Sequence, residues 1–138
     1  MTFNFEFVPN KGRNNSKGST EPLITVTTYG VSFNKAFVEA YPNLMKGYAR
    51  IGIDYAKNYM QIIIQDVKTS DSFKLQANKT AHIRKISSTG VANTLDQTER
   101  LSLKRFRYRF KPVEVDPRFK TILVNLADPY SKTRVNKG

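Results

Sequence analysis

Apolar residues alternate with polar ones along much of the chain, and this period of two predicts strands. Residues 1–8 set Phe3, Phe5 and Phe7 against Asn4 and Glu6, the pattern of a half-buried strand. Residues 9–22 break it with Gly, Asn, Ser and Pro, which predicts a mobile loop carrying Lys11, Arg13 and Lys17. A strand over 23–29, rich in Thr, Ile and Val, is expected to close at Gly30. Helical spacing of Phe33, Phe37, Ala40 and Tyr41 predicts one helix over 31–41, capped by Ser32 or Asn34 and ended by Pro42.

Residues 47–67 read as a hairpin. A two-residue turn at Lys57 and Asn58 puts Ala49, Ile51, Ile53 and Tyr55 on one face with Met60, Ile62 and Ile64. The other face then carries Tyr48, Arg50, Asp54, Tyr59, Gln61, Ile63 and Gln65. Further strands are expected at 73–77, 81–87, 113–115 and 119–126, with Pro117 as a break. Residues 88–99 fit either a loop or a short helix. In 103–111, Lys104, Phe106, Tyr108 and Phe110 face one way, and Leu103, Arg105, Arg107, Arg109 and Lys111 the other. Residues 129–138 predict a frayed basic tail with Lys132 and Arg134. No repeat is visible at periods of about 20–50 residues. The fold class expected is mainly β: a small antiparallel sheet or OB-like barrel with one short α-helix, in a single domain spanning 1–138 and compact from about residue 2 to 128.

Composition narrows the function. The chain has 138 residues, 23 Lys and Arg against 11 Asp and Glu, and a formal charge of +12. Such an excess costs self-repulsion, so an anionic partner is expected. With no Cys and one His, disulfides, thiolate zinc sites, a cysteine nucleophile and histidine-rich metal chemistry are excluded. The first residues lack the basic and continuous apolar parts of a signal peptide, and no apolar run nears the roughly 18 residues of a membrane span. A reducing compartment, the cytoplasm of a cell or of a viral host, fits the lack of Cys.

The alternating arginines are the sharpest chemical signal. Cations this close repel one another until a phosphate backbone neutralises them, and Arg stacks on bases and grips phosphate bidentately. The competing reading is a charged edge strand that discourages pairing with another chain, a task for which Lys is the usual choice. On the hairpin, Tyr48 and Tyr59 near Arg50 and Gln61 combine ring faces with donors, as single-strand binders do; ordinary strand preference for Tyr explains either ring alone. Lys35, Lys11, Arg13, Lys17, Lys132 and Arg134 are secondary candidates. Catalytic constellations are missing. Asp54 and Asp66 fall roughly 20 Å apart at about 3.3 Å per residue, too far to share a metal. Glu114 and Asp116 have no acidic neighbours, His82 reads as a strand residue, and there is no phosphate-cradling Gly loop. No enzyme activity, cofactor or metal is expected.

The run Val31-Ser32-Phe33-Asn34-Lys35, with 36–41, 48–55 and 59–64, resembles the AbrB/SpoVT-type DNA-binding unit, a strand, short helix and hairpin swapped between two subunits. Asn34 stands where that family usually has Pro, and 42–46 lacks its Gly-Asp ending. The resemblance implies a homodimer or higher homo-oligomer that meets duplex DNA through Lys35 and Arg50. In whole-chain character the protein is similar to small phage-type single-stranded DNA-binding proteins, β-rich and basic. The expected function is binding of single-stranded DNA with little sequence preference. A duplex-binding transcription regulator and a basic structural component of a nucleoprotein particle are the alternatives.

Overall fold

The computed structural model describes residues 21–80, 82–98 and 101–135. The expected Phe3–Phe5–Phe7 strand and the loop cations Lys11, Arg13 and Lys17 lie outside them. The fold is mainly β, in two antiparallel sheets. The larger contains β1 (Ile24–Thr27), β2 (Gly30–Phe33), β6 (Gln76–Ala77), β7 (Arg84–Ser87), β8 (Phe106–Phe110) and β11 (Ser131–Arg134), in the order β11-β8-β1-β2-β7-β6. The smaller contains β3 (Tyr48–Asp54), β4 (Tyr59–Gln65), β5 (Phe73–Lys74), β9 (Glu114–Asp116) and β10 (Thr121–Asn125), in the order β5-β3-β4-β10-β9. Both sheets turn their apolar residues into one core: Ile24, Val26, Phe33, Ile86 and Phe110 from the larger, Ala49, Met60, Ile62, Ile122 and Val124 from the smaller. The outer faces of the two sheets are therefore turned away from the same core. Among the described residues, no helix is long and apolar enough to cross a membrane.

Several expected boundaries move, each for a local reason. The helix is α1 (Lys35–Ala40), not 31–41. Val31 and Phe33 are buried at strand spacing in β2 and Gly30 opens that strand, so Gly30 does not close a longer β1. Asn34 caps the helix: its Oδ1 accepts from the Phe37 N–H at 2.9 Å and from the Leu23 N–H at 3.0 Å. The hairpin pairs Ala49 with Ile64, Ile51 with Ile62 and Ile53 with Met60, two residues away from the register of a Lys57–Asn58 turn. The loop is four residues, 55–58, closed by Asn58 N–H to Asp54 C=O at 2.7 Å, with Asn58 at φ 60°. A slip of two preserves the faces, so the apolar set is the expected one except Tyr55, which leaves the sheet.

Segment 73–77 is two strands, because Leu75 turns into the core and the chain passes from one sheet to the other. The strand expected at 81–87 is β7, and 88–99 supplies a second helix, α2 (Thr89–Asp96), whose N-cap Ser88 Oγ accepts from the Val91 N–H at 3.1 Å. Val91, Ala92 and Leu95 fasten it to the core. Leu103 is not on the arginine face but buried in a turn, since the Leu103 N–H donates to Asp96 Oδ1 at 2.8 Å and the Ser102 N–H to Tyr108 Oη at 3.0 Å. Strand β8 starts only at Phe106, which leaves Lys104 and Arg105 in that turn. Ser131–Arg134 of the expected frayed tail form β11, paired with β8 from Ser131–Arg109 to Arg134–Phe106, and residues 136–138 lie outside the described residues.

Candidate nucleic-acid interface

Strand pairing determines which side chains share a surface, because directly opposed residues project to the same face. One row of the larger sheet reads Ser131, Arg109, Thr25, Ser32, Lys85, Gln76 from edge to edge. The adjacent row, Lys132, Tyr108, Val26, Val31, Ile86, is buried at every member but Lys132, so the first row is on the outer face. Arg107 shares that face, opposite Thr133, as do Thr27, Gly30 and Ser87. The outer surface is thus hydroxyls and cations: Arg107 and Arg109 about 7 Å apart along β8, and Lys85 about 14 Å from Arg109 across three strand spacings. Arg109 Nε donates to Ser131 Oγ at 2.9 Å, which holds the guanidinium while using one of its five N–H groups.

Charge is divided between the sheets. Strands of the larger sheet contain Arg84, Lys85, Arg107, Arg109, Lys132 and Arg134 and no acid. Strands of the smaller sheet contain Arg50 and Lys74 against Asp54, Glu114 and Asp116. Strand β8 also lies between β11 and β1, so it is not an edge strand and its arginines are not edge guards.

The expected candidates scatter over this framework. Arg107 and Arg109 are on the basic face. Arg105, in the turn before β8, lines a hollow with Lys104 and Arg134. Lys132 is on the opposite side of its strand from Arg109, its Nζ 4.4 Å from the centre of the Phe106 ring. Lys111 follows β8 and is held by Glu21, Nζ to Oε1 at 2.9 Å. The Glu21 carboxyl is lowered below its ordinary 4.5 by hydrogen bonds from Lys111 and then Tyr130, and Lys111 is raised above 10.5 by the same Glu21 contact. Lys35 pairs with Glu39 on α1 at 3.9 Å.

Tyr48, Arg50, Tyr59 and Gln61 share a face as expected, but it is the outer face of the smaller sheet, and the fold does not bring them to the arginines. Arg50 faces Asp71 at 3.8 Å, and its Nε is buried without a hydrogen bond. Asp54 is at the turn end of the hairpin and Asp66 at the open end, where it meets Lys120 at 3.4 Å. Among the described residues, no three His, Cys, Asp or Glu side chains gather where they could hold a metal ion. Sequence reading missed Lys85, Thr25, Ser32 and Gln76. Each is an ordinary strand residue, and only the pairing of distant strands aligns them with Arg109. No family model, curated protein or solved structure matches the chain.

Proposed function

We propose that this protein binds single-stranded DNA with little sequence preference, gripping the sugar–phosphate backbone over the outer face of its larger sheet. The observation that carries the reading is that outer face, where Lys85, Arg107 and Arg109 stand among hydroxyls on strands that contain no acid. Arginines and hydroxyls are the side chains that contact phosphates, and such contacts position a strand without reading its bases. The whole face is too wide to enter a duplex groove. Six strands at about 4.8 Å spacing span about 24 Å, twice the roughly 12 Å width of the major groove. In this reading the protein is a binding protein without catalytic activity, working in the cytoplasm of a cell or viral host, where a chain with no Cys needs no oxidation.

Salt titration tests the proposal. Log affinity for a single strand should fall with log salt at about −0.7 per phosphate neutralised, and the Lys85→Ala, Arg107→Ala, Arg109→Ala triple variant should reduce that slope by about 2 while its circular dichroism stays that of the wild type. Salt-independent affinity, or tighter binding to duplex than to single strand, would overturn it.

A second variant should act in the opposite direction. Glu21→Gln releases Lys111, so the single strand should bind more tightly and the salt slope steepen by about 0.7. Acid should imitate the mutation. The Glu21–Lys111 pair stabilises the fold above the ordinary carboxylate value of 4.5 and stops doing so as pH falls through the lowered Glu21 value. The affinities of wild type and variant should therefore converge over that window in a pH series.

A further inference from the structure

Gly52 stands in the middle of β3 on the outer face of the smaller sheet, and the fold does not require a glycine there. Its backbone is not among the positive-φ positions, where the glycines among the described residues are Gly30 and Gly47. A Cβ built on it meets no atom within 4 Å. A glycine inside a strand weakens it, and where one occurs it marks a bulge, a tight bend or the close approach of a ligand or another backbone. The pairing of β3 with β4 runs from Tyr48–Gln65 to Asp54–Tyr59 without a slip, so there is no bulge.

The bare backbone opens into a surface cavity of about 690 Å³ that is also lined by Asp54, Lys57, Tyr59, Gln61 and Leu123. Gln61 is directly opposite Gly52, and Leu123 is directly opposite Gln61 on the next strand. These groups form a floor of bare backbone, a half-exposed aromatic ring, an amide that offers donor and acceptor together, and a cation next to the Asp54 carboxylate, whose Oδ1 accepts from the Lys57 N–H at 3.0 Å. A planar heteroaromatic ring needs this set: stacking on its face and hydrogen bonds at its edge.

The basic face leads toward this hollow. Its long row ends at Gln76, Leu75 turns inward, and Lys74 emerges on the other sheet opposite Tyr48, which shares its face of β3 with Gly52. Gln76, Lys74, Tyr48 and Arg50, the last facing Asp71 at 3.8 Å, thus lie in order between Lys85 and Gly52 around this edge.

We propose that the hollow over Gly52 receives one unpaired nucleobase of the bound strand, its ring against the Gly52 backbone and Tyr59, with Gln61 hydrogen-bonding its edge. This rests on the single-strand reading above, and the experiment separates the two. Oligo-dT and an abasic oligonucleotide of equal length are titrated into the wild type and a Gly52→Val variant, with tyrosine fluorescence as a second readout. Valine suits a strand and fills the hollow, so the variant should fold and melt no lower than the wild type. Abasic affinity should be the same in both proteins, while oligo-dT should lose about fivefold or more in the variant and its quenching of tyrosine should fade. Tyr59→Leu should give the same selective loss, and it keeps the test valid if valine disturbs the strand. Equal oligo-dT affinity in wild type and both variants would overturn the base site alone. Failure of the abasic strand to bind the wild type would overturn the backbone reading, and this inference with it.

Discussion

Gly30→Ala should destabilise the protein by about 3 kcal/mol or more, enough to unfold much of the population of a marginally stable domain. Gly30 opens β2 with φ +134°, a region that L side chains rarely adopt. The added Cβ would also overlap the carbonyl oxygen of Ile86, a backbone atom that cannot rotate away. Relieving the overlap means moving β7 from β2, where Gly30 pairs with Ser87 and Val31 with Ile86. The disturbance reaches α2 as well, because the Ser88 N–H donates to the Tyr29 carbonyl at 3.0 Å and Ser88 is the cap of that helix. Urea unfolding followed by circular dichroism checks this: the midpoint should fall sharply with little change in slope. An unchanged midpoint would show that β7 does not pack against Gly30 in this way.

Phe110→Ala should cost about 3–5 kcal/mol, the usual range for deleting a buried aromatic side chain. Phe110 is fully buried, stacks on Tyr108 with ring centres 6.2 Å apart and pairs with Ile24 at the centre of the larger sheet. The adjacent Arg109 points to the other face, so Arg109→Ala should leave the melting temperature nearly unchanged and weaken nucleic-acid binding. The two variants, side by side in thermal melts and salt titrations, separate the structural from the binding face of one five-residue strand. If Arg109→Ala melted as low as Phe110→Ala, the outward placement of the arginines would be wrong.

Those two faces were legible in the sequence because alternation is local: Phe106, Tyr108 and Phe110 against Arg107 and Arg109 can be read without any partner strand. The hairpin faces were legible for the same reason, and they survived a two-residue error in the turn because side chains repeat every two residues. What the sequence did not disclose is adjacency. Nothing near Lys85 or Thr25 says that they will join Arg109 in one row, and nothing near Tyr48 says that it will lie on the other sheet. The helix was misplaced because Phe33 and Phe37 satisfy helical spacing while Val31 and Phe33 also satisfy strand spacing, and the Asn34 cap decides between them. The tail read as frayed because Lys132 and Arg134 are polar at every exposed position, yet β8 offered a free row of backbone groups to pair with.

The pairing of β1 with β8 joins parts of the chain that are far apart, Val26 to Tyr108 and Thr25 to Arg109. Such a contact costs loop-closure entropy before it returns any stability, so the larger sheet should assemble after the local β3–β4 hairpin. The basic row consequently does not exist in the unfolded chain, where Lys85 and Arg109 are separate charges on a coil. A polyanion that prefers the row binds the folded state selectively and raises its population by mass action, while relieving the repulsion that aligning the cations creates. Ligand occupancy and folding would then be coupled, and under the proposed function the nucleic acid would act as a thermodynamic scaffold for the sheet that holds it.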